Sequence, residues 1–238
     1  MAGIYIHIPF CRQACHYCNF HFTTSRNYQD RMVNAIVREI KQRADFLGNS
    51  ELQSIYFGGG TPSLLTQEHL YSIFGSIEEY WKIRTDAEIT LEANPDDLSA
   101  EYLGMLKDTP VNRLSIGIQS FHEKELEWMN RAHNSKQAKD SLERAQQFGF
   151  GKLTADLIYG LPGQSMSDWN ENIRIMLDTG IGHISAYALT VEPRTALGHW
   201  VKKGKINIPP DDQVREQFDL LIDLLATGGL EQYEISNF

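Results

Sequence analysis

Three cysteines lie close together near the start of the chain, with the spacing Cys11-x-x-x-Cys15-x-x-Cys18, and the 238-residue sequence contains no other cysteine. Soft thiolate ligands of this kind suit an iron–sulfur cluster or zinc. An odd, tightly clustered set makes a poor disulfide framework and indicates a reducing compartment. A structural zinc site would need a fourth ligand, for which His16 or His21 is available. Three ligands on a four-iron cluster would instead leave one iron open to a small molecule.

A glycine-rich segment could provide a second binding element. Gly58-Gly59-Gly60 is followed by Thr61, and residues without a β-carbon let main-chain groups approach a small ligand closely. Taken alone, the segment is more typical of a strand-to-helix turn capped by Thr61 or Ser63. Its expected position beside the cysteines favours the ligand interpretation.

Two carboxylates fall in otherwise apolar segments. Glu92 ends one such segment and Asp156 lies inside another. A buried carboxylate is costly unless it is paired or hydrogen-bonded. The sequence therefore predicts either internal ion pairs, for which Arg113 and Arg131 are candidates, or polar contacts with a bound ligand.

The elements that must position these residues alternate along the chain. The predicted strands are Ile4–Ile8, Ser54–Phe57, Ala87–Glu92, Arg113–Gly117, Lys152–Ile158 and His183–Leu189. The predicted helices are Tyr28–Leu47, Leu70–Trp81 behind a Thr66 cap, Ser99–Asp108, Ser135–Phe148, Met166–Asp178 and Pro210–Thr227. Six β-then-α units predict an α/β fold, a partial (β/α)6 barrel with parallel strands and helices outside. Because the loops after the strands of such a barrel carry the chemistry, we expect the unusual residues to meet at one rim.

Composition and charge narrow the class of protein. The net charge of −9 argues against a nucleic-acid partner, which would require a cationic face. No apolar run reaches membrane-spanning length, and the first residues lack the pattern of a signal peptide, so a cytoplasmic location is expected. The size suits one domain over residues 1–238. The final run Tyr233–Phe238 is strand-like with no polar tail, which indicates a fragment that lacks a further C-terminal region.

The cysteine spacing, with Tyr17 directly before the third cysteine, resembles the signature of the radical S-adenosylmethionine (SAM) superfamily. The resemblance implies a 4Fe–4S cluster held by Cys11, Cys15 and Cys18, with SAM chelating the open iron through its amine and carboxylate. It also implies one-electron cleavage of the SAM sulfonium to a 5′-deoxyadenosyl radical, so that the cofactor carries the demanding chemistry.

A wider set of motifs resembles the oxygen-independent coproporphyrinogen III dehydrogenase (oxidase) family. These motifs are Tyr5–Cys11, Phe57–Ser63, Glu92–Pro95, Leu114–Phe121 and Asp156–Gln164. Matching family positions imply a common SAM site. Its residues are Tyr5, Tyr17, Gly59, Gly60, Thr61, Glu92, Gln119, Arg131 and Asp156. Gly59, Gly60 and Thr61 would contact the methionine end of SAM, and the guanidinium of Arg131 is suited to a carboxylate.

That family contains dehydrogenases and related haem chaperones, and two features favour the chaperones. The dehydrogenases carry another cysteine two positions after the third, where this chain has Phe20. They also carry an extension before the first strand, to which Tyr5 already belongs here. Asn19 departs from the chaperone pattern, which usually has Asp.

The expected function is therefore a haem chaperone that binds a 4Fe–4S cluster, SAM and haem. Its expected partners are a haem or porphyrin ligand, a haem-acceptor protein and an electron donor. The alternatives are oxidative decarboxylation of coproporphyrinogen III to protoporphyrinogen IX, radical SAM chemistry on another small molecule and, more remotely, a structural zinc protein.

Overall fold

The computed structural model describes residues 2–48 and 50–238, which form one six-stranded sheet flanked by helices. The strands are β1 (Ala2–Ile8), β2 (Leu52–Gly59), β3 (Ile83–Ala93), β4 (Arg113–Gln119), β5 (Lys152–Tyr159) and β6 (Ile184–Ala188). They lie side by side in chain order, and each pair is parallel. Within the described residues, β1 and β6 are the edges of an open sheet. The predicted partial barrel of six βα units is confirmed.

Eight α-helices occur in the described part of the chain. They are α1 (Gln29–Gln42), α2 (Gln67–Tyr80), α3 (Ala100–Lys107), α4 (Glu123–Met129), α5 (Ser135–Gln147), α6 (Met166–Asp178), α7 (Ala196–Lys202) and α8 (Asp211–Thr227). The six predicted helices are all present, and the short helices α4 and α7 are additional. Seven residues give less than two full turns of periodicity, which explains why the sequence pattern missed both.

Helix ends follow local chemistry. Thr66 caps α2 as predicted, since its hydroxyl accepts the N–H of His69 while the His69 ring accepts the N–H of Thr66. Helix α1 ends at Gln42, earlier than the predicted Leu47. The intervening residues form turns, and Leu47 still packs against the core although it is no longer helical. Spacing alone therefore predicted the buried face but overextended the helix.

The core fills the space between the sheet and the outer helices. Strands buried on both faces are apolar almost throughout, as expected for a covered parallel sheet. In β4, for example, every residue after Arg113 is buried. Phe57 of β2 packs on Phe74 of α2 with 5.4 Å between ring centroids. No helix among the described residues has the length and apolarity to cross a membrane.

The segment Tyr233–Phe238, predicted to be strand-like, lies along β6 but forms only a single antiparallel bridge, between Ser185 and Asn237. Main-chain bonds join Ile184 to Phe238 in both directions, and Ala186 donates to the carbonyl of Ser236. The segment thereby covers part of the sheet edge at β6.

Candidate functional site

A cavity of about 480 Å³ opens at the carboxyl ends of the strands. Its volume is in the range typical of small-molecule and cofactor sites. Every predicted site residue except Tyr5 lines it. These lining residues are Cys11, Cys15, Tyr17, Cys18, Gly59, Gly60, Thr61, Glu92, Gln119, Arg131 and Asp156. The predicted meeting of these residues at one rim of the sheet is confirmed.

The cysteine loop leaves the end of β1 and folds back on itself. The N–H of Cys11 donates to the carbonyl of Thr23 over 3.0 Å, and the N–H of Thr23 donates to the carbonyl of Pro9 over 2.7 Å. Inside the loop, the N–H of Cys18 donates to the carbonyl of Cys15 over 3.3 Å. These bonds close the loop at its base and turn all three thiols toward the cavity.

The middle of the cysteine loop rests on the last turn of α4. The N–H of His16 donates to the carbonyl of Met129 over 3.1 Å, and its Nδ1 lies 2.7 Å from the carbonyl oxygen of Trp128. Asn130 donates to the carbonyl of Ala14 over 2.7 Å and accepts from Nε2 of Gln13 over 2.6 Å. A second element thus fixes the loop independently of the strand that precedes it.

The three thiols are partly buried, and one of them lies beside a cationic side chain. Desolvation by burial raises the pKa of the Cys11 and Cys18 thiols, so without metal they stay protonated at neutral pH. The Arg131 guanidinium lies beside Cys15, with 3.5 Å between its NH1 and Sγ. Among residues 2–48 and 50–238, no three His, Cys, Asp or Glu side chains converge on a single metal ion. The thiols instead border one shared cavity, as a cluster with separate iron corners requires.

The glycine turn is a place where side chains would collide. Gly59 has φ +113°, and a β-carbon there would lie 2.4 Å from Nδ1 of His7. A β-carbon on Gly60 would lie 2.8 Å from the carbonyl oxygen of Phe10. The N–H of Gly60 donates to the carbonyl of Ile8 over 2.9 Å. Glycine therefore allows the turn to lie directly against β1 and the start of the cysteine loop.

Glu92 is held from two sides. Tyr56 donates its hydroxyl to Oε1 of Glu92 over 2.8 Å, and the N–H of Gly59 donates to Oε2 over 3.1 Å. Desolvation raises the pKa of Glu92, and these two hydrogen bonds oppose the increase. The carboxylate thus joins the end of β3 to the glycine turn after β2.

Asp156 has a more strongly altered environment. Burial first, and the nearby Glu92 second, raise the pKa of Asp156 to about 7, while the neighbouring Ser185 hydroxyl opposes the increase. The sequence left internal ion pairs with Arg113 or Arg131 open for both carboxylates. That alternative is wrong within the described residues, because Arg113 pairs with Glu88 at 2.9 Å and Arg131 bonds to neutral groups and Cys15.

Two residues at the site adopt the left-handed backbone region that non-glycine residues rarely use. Gln119, at the end of β4, has φ +66° and follows a shift in the β4–β5 register. Asn130, which precedes Arg131, has φ +57°. Strained conformations of this kind cluster at functional sites, where the surrounding structure must enforce them. Here they aim Gln119 and Arg131 into the same cavity.

Arg131 is fixed by neutral acceptors. Its NH2 donates to Oδ1 of Asn94 over 2.7 Å and to the carbonyl of Gly117 over 2.8 Å. A β-carbon on Gly117 would lie 2.8 Å from Nε2 of Gln119 and 3.2 Å from the same nitrogen of Arg131, so the glycine leaves room for both side chains. The Nε of Arg131 is buried and has no hydrogen-bond partner within the described chain. A cationic group held by neutral acceptors can still bind an anionic ligand.

The two predicted tyrosines occupy different places. Tyr17 lines the cavity and packs on the small apolar cluster of Leu126, Met129, Ile158 and Leu161. Tyr5 is 59% exposed and lies outside the cavity lining. Its hydroxyl is 3.1 Å from Nδ1 of His7, and its ring stacks on Tyr56 at 6.0 Å. Tyr5 therefore supports the glycine turn from outside.

The sequence interpretation missed several cavity residues, namely Asn94, Ser115, Tyr187, Thr190 and Glu192. Asn94 belongs to the Glu92–Pro95 motif, so its position after a strand was a usable signal. Ser115 lies next to Glu92 in the β3–β4 register, which only the alignment of the strands reveals. Tyr187, Thr190 and Glu192 lie at or after the end of β6, where no pattern distinguishes them from an ordinary loop.

Comparison with known proteins agrees with this geometry. Residues 5–176 match the Radical SAM superfamily. The chain is 40% identical over its full length to the heme chaperone HemW of Bacillus subtilis and covers 63% of that protein. It is 34% identical over its full length to the mouse mitochondrial radical S-adenosyl methionine domain-containing protein 1, of which it covers 54%.

Among solved structures, the coproporphyrinogen III oxidase HemN of Escherichia coli superimposes with a TM-score of 0.89 at 25% identity. The superposition covers 99% of this chain and 55% of that enzyme. The chain therefore spans little more than half the length of that enzyme, and less than two thirds of the two curated relatives above.

Proposed function

Because the chain belongs to the radical SAM superfamily, we propose that it forms the cluster- and SAM-binding core of a haem chaperone, a protein that binds haem and passes it to an acceptor. Members of the superfamily use a 4Fe–4S cluster and SAM. In this chain, Cys11, Cys15 and Cys18 would hold the cluster, which supplies the single electron for SAM cleavage when bound. Residues 1–238 would then form one core domain, matching 63% of the length of the Bacillus subtilis relative.

The remaining cavity residues would bind and orient SAM. Gly59, Gly60 and Thr61 present main-chain and hydroxyl groups beside Cys11. Arg131 would donate to the SAM carboxylate from the position in which Asn94 and Gly117 hold it. Glu92, Gln119 and Asp156 would contact polar groups of SAM. Tyr17 would exclude water from the cluster side, since it packs on an apolar cluster. Tyr5 would act indirectly, through the turn.

One residue carries the choice of haem chaperone over dehydrogenase. Phe20 stands where the dehydrogenases resembled by this sequence have a further cysteine, and it lines the mouth of the cavity with 71% of its surface exposed. An exposed phenyl ring beside the cluster loop offers an apolar face to a planar ligand rather than a thiol for chemistry. The similarity to heme chaperones over the whole chain supports the same choice.

Coproporphyrinogen III oxidation is the second candidate. The superposition on the oxidase HemN supports it, because nearly the whole chain follows that enzyme's fold. In either function an electron donor must reduce the cluster. The chaperone further requires a haem-acceptor protein. For either function, we propose a cytoplasmic location.

A side-by-side assay separates the two. The full-length protein, reconstituted anaerobically, is titrated with haem and separately incubated with coproporphyrinogen III, SAM and a reductant, with HemN as the positive control for turnover. We expect a saturable haem spectrum with no protoporphyrinogen formed. Protoporphyrinogen produced over many turnovers, with SAM consumed in step, would contradict the chaperone proposal and establish the oxidase.

A further inference from the structure

We propose that Asn94 is a positioning residue that sets the reduction potential of the cluster by orienting the hydroxyl proton of Thr61. The inference rests on the proposed ligation of the cluster by the three cysteines, and it gives Asn94 a role at the cluster beyond holding Arg131 for the proposed SAM contact. Asn94 lines the cavity and is partly buried between the glycine turn and Arg131.

A continuous series of hydrogen bonds joins two of the cysteines through Asn94. The hydroxyl of Thr61 donates to Sγ of Cys11 over 3.5 Å, and Nδ2 of Asn94 donates to that hydroxyl oxygen over 3.3 Å. On the other side, Oδ1 of Asn94 accepts from NH2 of Arg131 over 2.7 Å. The NH1 of Arg131 then donates to Sγ of Cys15 over 3.5 Å. Contacts to sulfur at this distance are ordinary, because sulfur is larger than oxygen.

The direction of each bond in this series is determined by chemistry. An arginine can only donate, so the Asn94 atom that faces Arg131 must be the carbonyl oxygen. The amide nitrogen therefore faces Thr61, whose oxygen must accept. The single proton of the Thr61 hydroxyl is then left to point at Cys11. Arg131 thus determines, through Asn94, which way the Thr61 hydroxyl donates.

The surrounding structure resists rearrangement of this series. The N–H of Asn94 donates to the Ser63 hydroxyl over 3.3 Å, and that hydroxyl donates to the buried carboxylate of Asp97 over 2.7 Å. Arg131 cannot turn away without losing the Gly117 carbonyl. Thr61 is itself buried, with 3% of its surface exposed, so water does not readily replace Asn94 as its donor.

A proton donated to a cluster thiolate stabilises the more negative, reduced form of the cluster. Hydrogen bonds to the sulfurs are among the main factors that set iron–sulfur reduction potentials. An Asp at position 94 would keep the shape of Asn94 but could only accept. It would retain the bond from Arg131. It would also draw the Thr61 proton away from Cys11 and add negative charge, and each of these two changes lowers the reduction potential of the cluster.

The test is an EPR-monitored redox titration of the reconstituted full-length protein without SAM. We expect Asn94→Asp to shift the cluster midpoint to a more negative potential. Thr61→Val, which removes the hydroxyl but keeps the shape, should shift it in the same direction. In the double variant the Thr61 effect should largely disappear, because Asn94→Asp has already withdrawn that proton. Asn34→Asp on the exposed surface of α1 makes the same charge change away from the cavity and should leave the midpoint unchanged.

Two results would overturn the proposal. One is a parental midpoint in Thr61→Val, which needs no change at Asn94 and so remains informative if Asn94→Asp assembles poorly. The other is full additivity of the two shifts, which would show that Asn94 acts by charge alone. Failure of the cluster ligation itself would appear differently, as an absence of iron in the parent protein, and failure of the haem proposal would leave these midpoints unaffected.

Discussion

The buried carboxyl of Asp156 is the cavity group whose protonation is most sensitive to pH near neutrality. Asp156 lies on β5 beside Ser185 of β6, with Glu92 nearby, and forms no ion pair in the described chain. Burial and the nearby Glu92 raise its pKa to about 7. At neutral pH the group is therefore divided between the acid, which can donate to a hydroxyl, and the carboxylate, which can only accept.

This shift predicts that Asp156 lowers the stability of the metal-free protein progressively as the pH rises from about 4 to 7. Over that range its folded-state carboxyl retains a proton that the unfolded chain has released, so its contribution to the free energy of unfolding falls by up to about 1.4 kcal/mol per pH unit. Buried His133, whose pKa is lowered to about 3, acts in the opposite direction, and Glu92 acts in the same direction as Asp156. Both groups remain in Asp156→Asn, so the stability of this variant relative to the parent should increase with pH. Urea unfolding at pH 4, 5, 6 and 7 measures both proteins. Parallel pH profiles would show that Asp156 is solvated.

Among the elements, the last turn of α4 and the two residues after it position both the cysteine loop and Arg131. They supply the Trp128 and Met129 carbonyls to His16, the Asn130 amide to Gln13 and Ala14, and Arg131 to the cavity. One seven-residue helix therefore fixes the cysteine loop and the cationic side chain relative to each other. The left-handed Asn130 lies at the junction, so its backbone and its side chain can be tested separately.

Asn130→Gly keeps the left-handed backbone at no steric cost but removes the side-chain bonds to the cysteine loop, whereas Asn130→Ala loses both. We expect the glycine variant to keep the parental melting temperature within a few degrees and to release iron to a chelator faster than the parent. The alanine variant should also melt at a lower temperature, because the left-handed backbone costs it about 1–2 kcal/mol of unfolding free energy. Anaerobic chelation kinetics and thermal melts measure the two effects. If the glycine variant holds iron as the parent does, only the backbone of Asn130 matters.

The elements also show which features the sequence could predict. The Thr66 cap and the apolar spacing of α2 are local features, and they predicted the end of that helix to within one residue. The bulge that turns Gln119 inward depends on the register between β4 and β5, which no local pattern contains. Helix α4 is similarly defined by its contacts with the cysteine loop. The family resemblance thus pointed to Gln119 and Arg131, but the sequence could not predict how each side chain is oriented.

At the scale of the whole molecule, parallel topology explains why residues far apart in sequence meet. Each strand delivers its carboxyl end to the same edge, so motifs after β1 to β5 line one cavity. The same geometry explains why the ion-pair alternative failed. Arg113 begins β4 and pairs with Glu88 below the cavity, whereas Glu92 lies near the upper end of β3. Arg113 and Glu92 therefore lie too far apart along their strands to pair, which the sequence alone does not show.

This architecture predicts that SAM stabilises the whole fold rather than one loop, because its proposed contacts come from β2, β3, β4, β5 and the cysteine loop. For the cluster-loaded protein, SAM at a hundred times its Kd adds about 2.7 kcal/mol. For a chain of this size that raises the Tm by roughly 5–10 °C.

Arg131→Ala is the matched test, because loss of a charge-assisted bond costs about 1.5–3 kcal/mol of SAM binding and weakens the Kd by roughly 10- to 150-fold. At the same SAM concentration its Tm shift should fall to half or less of the parental shift, while the iron content stays the same. Calorimetric melts with and without SAM measure both. A parental shift in Arg131→Ala would remove Arg131 from the SAM site. A SAM-dependent second transition in the parent would instead show that only part of the sheet responds to the ligand.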